Sequence, residues 1–224
     1  MAVHKFNIKD SFLEGFKIFK KNWKFILLSL LLVFVVRMVL GGIVDGIDNS
    51  INAGGGIEVI VNWVVDSFMT MGAIIISLRL IDGKKVEYAD LFKHYPLFLK
   101  YLLGSVLVSM IMLIPLVITT LGANLGLPIL SFIGFVAIIF PGIYLSLKYQ
   151  FTTYLILDHG MHPIDAFRKS GKITEGVKIR LFLFSLAQIG IVFLGLIALL
   201  VGLFVAVPVV FLASTLVYRK LDHA

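Results

Sequence analysis

Two charged residues stand where charge is expensive. Arg37 lies inside the apolar run from about Phe25 to Ile43, and Asp66 inside the run from about Ile57 to Ile81. Asn62, Asp66 and Thr70 recur every fourth position, so they share one face of a helix. An unpaired charge at the centre of a bilayer costs roughly 2.5–3.5 kcal/mol on insertion scales, so Arg37 and Asp66 are expected to pair within the bundle. Two readings of that pair stay open. It is a substrate or proton site, or it is an ion pair that fixes helix register. A lone pair lacks the series of acids that a proton relay requires.

Other groups point to chemistry more weakly. Pro141-Gly142 can break or kink a helix and free backbone carbonyls, which makes them hinge candidates; the plainer reading is a local kink in packing. Ser105 and Ser109, one turn apart, suit close helix contact better than ligand binding. Asp158, His159 and His162 cluster in a turn, but two histidines and one acid at that spacing are a poor metal signature. Gly54, Gly55 and Gly56 lack the strand and the Lys-Ser/Thr pair of a phosphate loop. There is no cysteine, which excludes thiol catalysis and cysteine-ligated metal, and no Ser-His-Asp arrangement can be placed. The residues therefore imply no catalytic set, metal site or cofactor, and a non-enzymatic protein.

The elements that hold these residues follow from composition. Apolar residues make up 59% of the 224, charged ones only 15%, and the mean hydropathy is +1.02. A soluble domain carries about a quarter charged residues. The apolar residues gather into runs long enough to span a bilayer, for which ~20 residues suffice at 1.5 Å each. Six spans are expected. The first two are the runs named above, followed by about Tyr101–Leu121 and Leu127–Leu147. The long stretch Leu181–Tyr218 divides near Gly202 into a helix ending near Leu200 and another starting near Phe204. The polar leader from Met1 to Lys24 is too long for a cleaved signal peptide, so the first span is expected to serve as its own insertion signal.

Charge placement sets orientation. Basic residues precede the first span (Lys5 to Lys24), separate the second from the third (Arg79, Lys84, Lys85, Lys93, Lys100), separate the fourth from the fifth, and follow the last. Of the 20 basic residues only Arg37 falls elsewhere, and the first opposite loop carries Asp45, Asp48 and Glu58. The positive-inside rule then places both termini in the cytoplasm. It also accounts for the net charge of +7 without nucleic acid: the cations sit where anionic inner-leaflet lipid attracts them. Lys17, Lys20, Lys21, Trp23, Lys84, Lys85, Arg168 and Lys169 are the expected lipid contacts; no protein partner can be named.

A threefold pattern organises the chain. Asp10-Ser-Phe12, Asp90-Leu-Phe92 and Asp165-Ala-Phe167 each open a short amphipathic segment before a span, and Asp82, Asp158-His159 and Asp222-His223 close the outgoing helices. In the first segment Ile8, Phe12, Phe16, Phe19 and Trp23 recur at helical spacing among lysines, the pattern of an interfacial helix. Pro163 and Asp165 suit the start of the third. The expected fold is an all-α integral membrane domain covering residues 1–224. It holds three repeats of interfacial helix plus transmembrane hairpin, at about 7–82, 87–158 and 163–222.

The stretch Pro141-Gly142-Ile143-Tyr144, Tyr149-Gln150-Phe151, Leu155-Ile156-Leu157-Asp158 and Asp165-Ala166-Phe167-Arg168-Lys169-Ser170 resembles a prokaryotic family of uncharacterised polytopic proteins. That family is related to the membrane domain of glycerophosphoryl diester phosphodiesterases. Val207-Pro208-Val209 and Tyr218-Arg219-Lys220-Leu221 are similar to its last helix. The resemblance implies a six-helix domain of the prokaryotic cytoplasmic membrane without an assigned reaction. This chain carries no phosphodiesterase catalytic domain, so that activity is not implied. The function expected is that of a lipid- or partner-organising membrane module. The alternative is a small-solute or ion transporter using the polar site around Asp66 and Arg37.

Overall fold

Asn7 opens the first helix. Its Oδ1 accepts from the backbone N–H of Lys9 at 3.0 Å and of Asp10 at 3.5 Å, meeting donors that a helix start leaves unpaired. Asp10 in the first turn faces the positive end of the helix dipole. The chain is described by a computed structural model for residues 6–51, 56–91, 95–198 and 202–223. The expected contributions of Lys5, Gly54, Gly55, Phe92 and Lys93, and the helix end at Leu200, lie outside the described residues.

Helix α1 runs Ile8–Ile51 and bends at Asn22, whose φ of −118° and ψ of 19° leave the helical region. Asn22 Nδ2 donates to the Ile18 carbonyl at 3.0 Å, supplying the partner that the bend removes. The amphipathic segment and the first span are thus one kinked helix rather than two. Helix α2 (Gly56–Ile81) ends at Gly83, whose φ of +68° lets Gly83 N–H reach the Leu80 carbonyl and Lys84 N–H reach that of Arg79. These are the crossed bonds of a glycine-closed helix end.

The second amphipathic segment departs from expectation. Its described residues form two 3₁₀ turns, Tyr88–Leu91 and Tyr95–Leu97, rather than α-helix. Asp90 explains the first: its side chain turns inward, accepts from the Glu87 N–H at 2.9 Å and pairs with Arg79 at 2.7 Å, drawing the chain into a tight turn.

Helix α3 (Phe98–Asn124) turns at Gly126 into α4 (Pro128–Ala137). A π turn at Ile138–Gly142 then leads to α5 (Ile143–Tyr149), α6 (Thr152–His159) and α7 (Pro163–Ile173). Pro141 has no N–H to offer the helical ladder, which is why the regular helix gives way there. The helical stretch that carries the fourth span therefore does not stop near Leu147; it continues in pieces to His159, because the break at Gln150 is stapled from α7. Ser170 and Thr174, both fully buried, donate to the Lys148 carbonyl at 3.1 and 3.0 Å, and Ser170 Oγ also accepts from Phe151 N–H at 3.3 Å. Tyr149 stacks on Phe167 at 3.7 Å between ring centroids. Helices α8 (Lys178–Ile197) and α9 (Leu203–Asp222) complete the chain.

The fold is all-α; no strand occurs among the described residues. Among the described residues, six helical stretches are long and apolar enough to cross a membrane: Ile8–Gly46, Val59–Ile81, Tyr95–Asn124, Pro128–His159, Lys178–Ile197 and Leu203–Asp222. Large apolar side chains stand exposed along them, among them Phe132 at 66%, Phe140 at 71% and Phe193 at 60%. Exposed apolar surface of this extent belongs against lipid.

Contacts divide the chain into two compact units. One comprises Phe6, Leu99–Ala187 and 218–223 among the described residues, the other Asn7–Phe98 and Gln188–Val217. The first packs around Leu155, Ile156, Leu181, Tyr218 and Leu221, all essentially inaccessible. The second packs Phe19 and Ile26 of α1 against Val209 and Leu212 of α9. Gly15 permits that approach, since a Cβ there would lie 3.1 Å from the Val209 carbonyl oxygen. A buried hydroxyl pair, Ser77 and Thr215 at 2.9 Å, joins α2 to α9.

Candidate functional site

Within the second unit, α1 and α2 carry their intramembrane charges to one level. Arg37 lies fifteen positions past the bend at Asn22 and Asp66 fifteen before the end of α2 at Ile81, each about 22 Å along its helix at 1.5 Å per residue. Arg37 Nη1 donates to Asp66 Oδ1. The two side chains keep 56% and 41% of their surface open, so the pair stands at the edge of packing rather than sealed inside it. Each retains hydrogen-bonding capacity: Arg37 has further N–H donors and Asp66 a second oxygen.

The pair lies in a cleft of about 420 Å³. Ser29 and Val33 of α1, Thr70 and Ala73 of α2, and Pro208 and Phe211 of α9 form much of its wall. Thr70 therefore shares the site with Asp66, while Asn62 on the same helix lies outside the lining. Five of the sixteen lining residues are polar, so the cleft is mainly apolar. Ser29 Oγ is buried in its wall without a hydrogen-bond partner. Sequence reasoning passed over Ser29 because a single serine in an apolar run carries no spacing signal.

A second polar cluster lies in the first unit. Asp222, with a side chain only 3% exposed, meets His159 Nε2 at 2.7 Å and Lys169 Nζ at 2.7 Å. Asp158 accepts from Arg219 at 2.5 Å and from the Tyr218 hydroxyl at 2.8 Å. The group fastens α6, α7 and α9 together. One ligand atom each from Asp158, His159 and Asp222 fall within 4.8 Å of one another. A divalent cation would have to displace Lys169 and Arg219, which already neutralise both carboxylates, so the donor set fits a structural clasp better than a metal centre. His162 does not join it; it stands exposed at the start of α7. The exits Asp158-His159 and Asp222-His223 marked this cluster in the sequence, but nothing there showed that the two exits meet.

The remaining candidates fall apart spatially. Pro141 and Gly142 form the π turn, where a Cβ on Gly142 would lie 3.1 Å from Met112 Sδ. Ser105 is spent on the Leu102 carbonyl at 2.8 Å. Among the expected lipid contacts, Lys17, Lys20, Lys21, Lys85 and Arg168 are exposed, and Trp23 is 48% exposed with Lys24 Nζ 5.7 Å from its ring. Two others are committed within the protein: Lys84 pairs with Asp82 at 3.2 Å and Lys169 with Asp222.

Bilayer-length apolar helices, two of them joined by an ion pair along their apolar length, define a multi-pass membrane protein. Residues 14–224 match the family described as "Protein of unknown function (DUF975)", and the chain belongs to that family. Uncharacterised proteins of Mycobacterium bovis and of two Mycobacterium tuberculosis strains are 26% identical to it over 183 residues, covering 80% of this chain and 50% of each relative. The chain thus spans about half the length of the curated relatives it matches. No solved structure matches it. Nothing in these similarities ties the chain to the membrane domain of glycerophosphoryl diester phosphodiesterases.

Proposed function

We propose that this protein is a non-enzymatic membrane module that organises lipid, and partner proteins through it. The observation that carries the reading is the outer face of α1 on either side of its bend. Phe19 and Ile26 turn inward, whereas Phe16 and Trp23, 46% and 48% exposed, stand beside exposed Lys17, Lys20 and Lys21. Aromatic rings beside lysines suit the headgroup level of an anionic leaflet, worth roughly 1 kcal/mol per cation near the surface. Replacing Lys17, Lys20 and Lys21 together with Gln is expected to reduce the enrichment of anionic lipid around the protein in mixed-lipid nanodiscs. Unchanged enrichment would refute the reading.

The same reading places the protein in a prokaryotic cytoplasmic membrane with both termini cytoplasmic, supported by 19 of the 20 basic residues falling on one side of the spans. It retains the three repeats, supported by the recurring Asp-x-Phe segments and acidic exits. Kinship with the phosphodiesterase membrane domain rests only on the Pro141–Ser170 motifs and the last-helix residues Val207–Val209 and Tyr218–Leu221. Solute or ion transport is the second reading, favoured by a cleft that reaches Arg37 and Asp66. It requires uptake into proteoliposomes that Asp66→Asn abolishes.

A further inference from the structure

Lipid around a membrane helix fills the spaces between side chains wherever the protein does not. The cleft in the second unit has the dimensions of one such filling. On α1 its lining extends from Ile26 to Arg37 and on α2 from Asp66 to Leu80, about 16 and 21 Å at 1.5 Å per residue. A staggered hydrocarbon chain with ~1.5 Å bonds advances about 1.25 Å per carbon, so the groove takes roughly 13 to 17 carbons in line. Its volume of about 420 Å³ falls within the range of small-ligand sites.

The chemistry of the two ends differs. Toward Ile26 and Leu80 the wall is largely aliphatic, while at the other end Arg37 and Asp66 present donors and an acceptor with no net charge. An anionic head would meet the Asp66 carboxylate and a cationic one the Arg37 guanidinium, and at membrane depth neither repulsion is screened by water. A head without net charge that both donates and accepts satisfies both residues.

We infer that this cleft binds one long-chain amphiphile whose polar end is neutral overall and carries both a donor and an acceptor. The inference rests on the lipid-organising reading and names the ligand class for it. Arg37 and Asp66 select the head by excluding net charge.

Native mass spectrometry of the full chain in a nonionic detergent tests this with octadecyl probes. Monostearoylglycerol and stearoyl lysophosphatidylcholine carry neutral heads, one hydroxylic and one zwitterionic; stearate and octadecyltrimethylammonium carry single charges. At least one neutral probe is expected to bind tenfold or more tighter than both charged ones, and which one identifies the head. Asp66→Asn is expected to raise stearate binding relative to the neutral probes, and Arg37→Gln to raise the ammonium. Ala73→Phe, which places a ring in the groove, is expected to weaken the neutral probe at least tenfold.

Equal binding of charged and neutral probes by the parent protein overturns the inference and needs no variant. Unchanged binding in a folded Ala73→Phe protein overturns it as well. A protein that keeps its anionic-lipid enrichment but fails this test loses the cleft ligand alone. One that binds neutral probes in the cleft without lysine-dependent enrichment loses the broader reading alone.

Discussion

Asp222→Asn is the sharpest test of how the first unit is held. The Asp222 side chain is 3% exposed and holds two cationic or potentially cationic partners, Lys169 and His159, each at 2.7 Å. Hydrogen bonds to charged groups contribute about 1.5–3 kcal/mol each, so the carboxylate supports at most roughly 3–6 kcal/mol. Asparagine keeps one neutral acceptor, and Lys169 and His159 are 35% and 39% exposed, so both recover water once released. About half of the lower bound or slightly more survives that discount, a destabilisation of ~2 kcal/mol. This is a change of about thirtyfold in the folded-to-unfolded ratio. For a chain of this size it lowers the melting midpoint by roughly 4–8 °C. Differential scanning fluorimetry of the purified protein in detergent measures it, with the exposed Asp165→Asn as a control expected within about 0.5 kcal/mol of the parent. A cycle with Lys169→Met isolates the pair, with an expected coupling of about 1 kcal/mol. Equal midpoints for Asp222→Asn and Asp165→Asn would show that α6, α7 and α9 are held by packing alone.

Gly134→Val tests the close approach of α3 and α4: a Cβ at Gly134 would lie 2.4 Å from Thr119 Oγ1 and 2.9 Å from the Pro115 carbonyl oxygen. Overpacking of this kind costs about 1–3 kcal/mol or more, so the monodisperse fraction on size exclusion should fall, and a normal profile would sink the argument. The chain contains no cysteine, so single cysteines at Asp48 and His223 report sidedness cleanly. A membrane-impermeant maleimide applied to intact cells should modify the first and spare the second.

Spans were the most legible feature because hydrophobic length is a local property, and α2, α3 and α9 begin or end within a few residues of where the apolar runs predict. The misses have non-local causes. The second amphipathic segment reads as a helix from Tyr88, Leu91, Phe92 and Tyr95, yet Asp90 turns inward to Arg79, a partner eleven positions upstream. The fourth span reads as ending near Leu147, and the helix that carries it continues to His159 because Ser170 and Thr174, more than twenty residues later, satisfy the Lys148 carbonyl that the break frees. Where a backbone group's partner comes from another element, the local pattern cannot reveal it.

The candidate sites divide along the same line. Arg37 and Asp66 were visible because each is an isolated cost: a charge in hydrocarbon must be answered, and each was the available answer to the other. Asp158 and Asp222 sit at helix exits, where charge is cheap, so the sequence assigns them no obligation and gives no reason to bring them together. Their proximity follows from the return of α9 beside α6, a consequence of packing around Leu155, Tyr218 and Leu221. Ser29 lies between these cases: a hydroxyl in a span is usually answered by the carbonyl one turn back, as Ser185 Oγ is by Leu181 at 3.0 Å. Only coordinates show that Ser29 goes unanswered. An unmet hydrogen bond inside a span is therefore a feature that sequence conceals most completely, because it consists of a contact the protein does not make to itself.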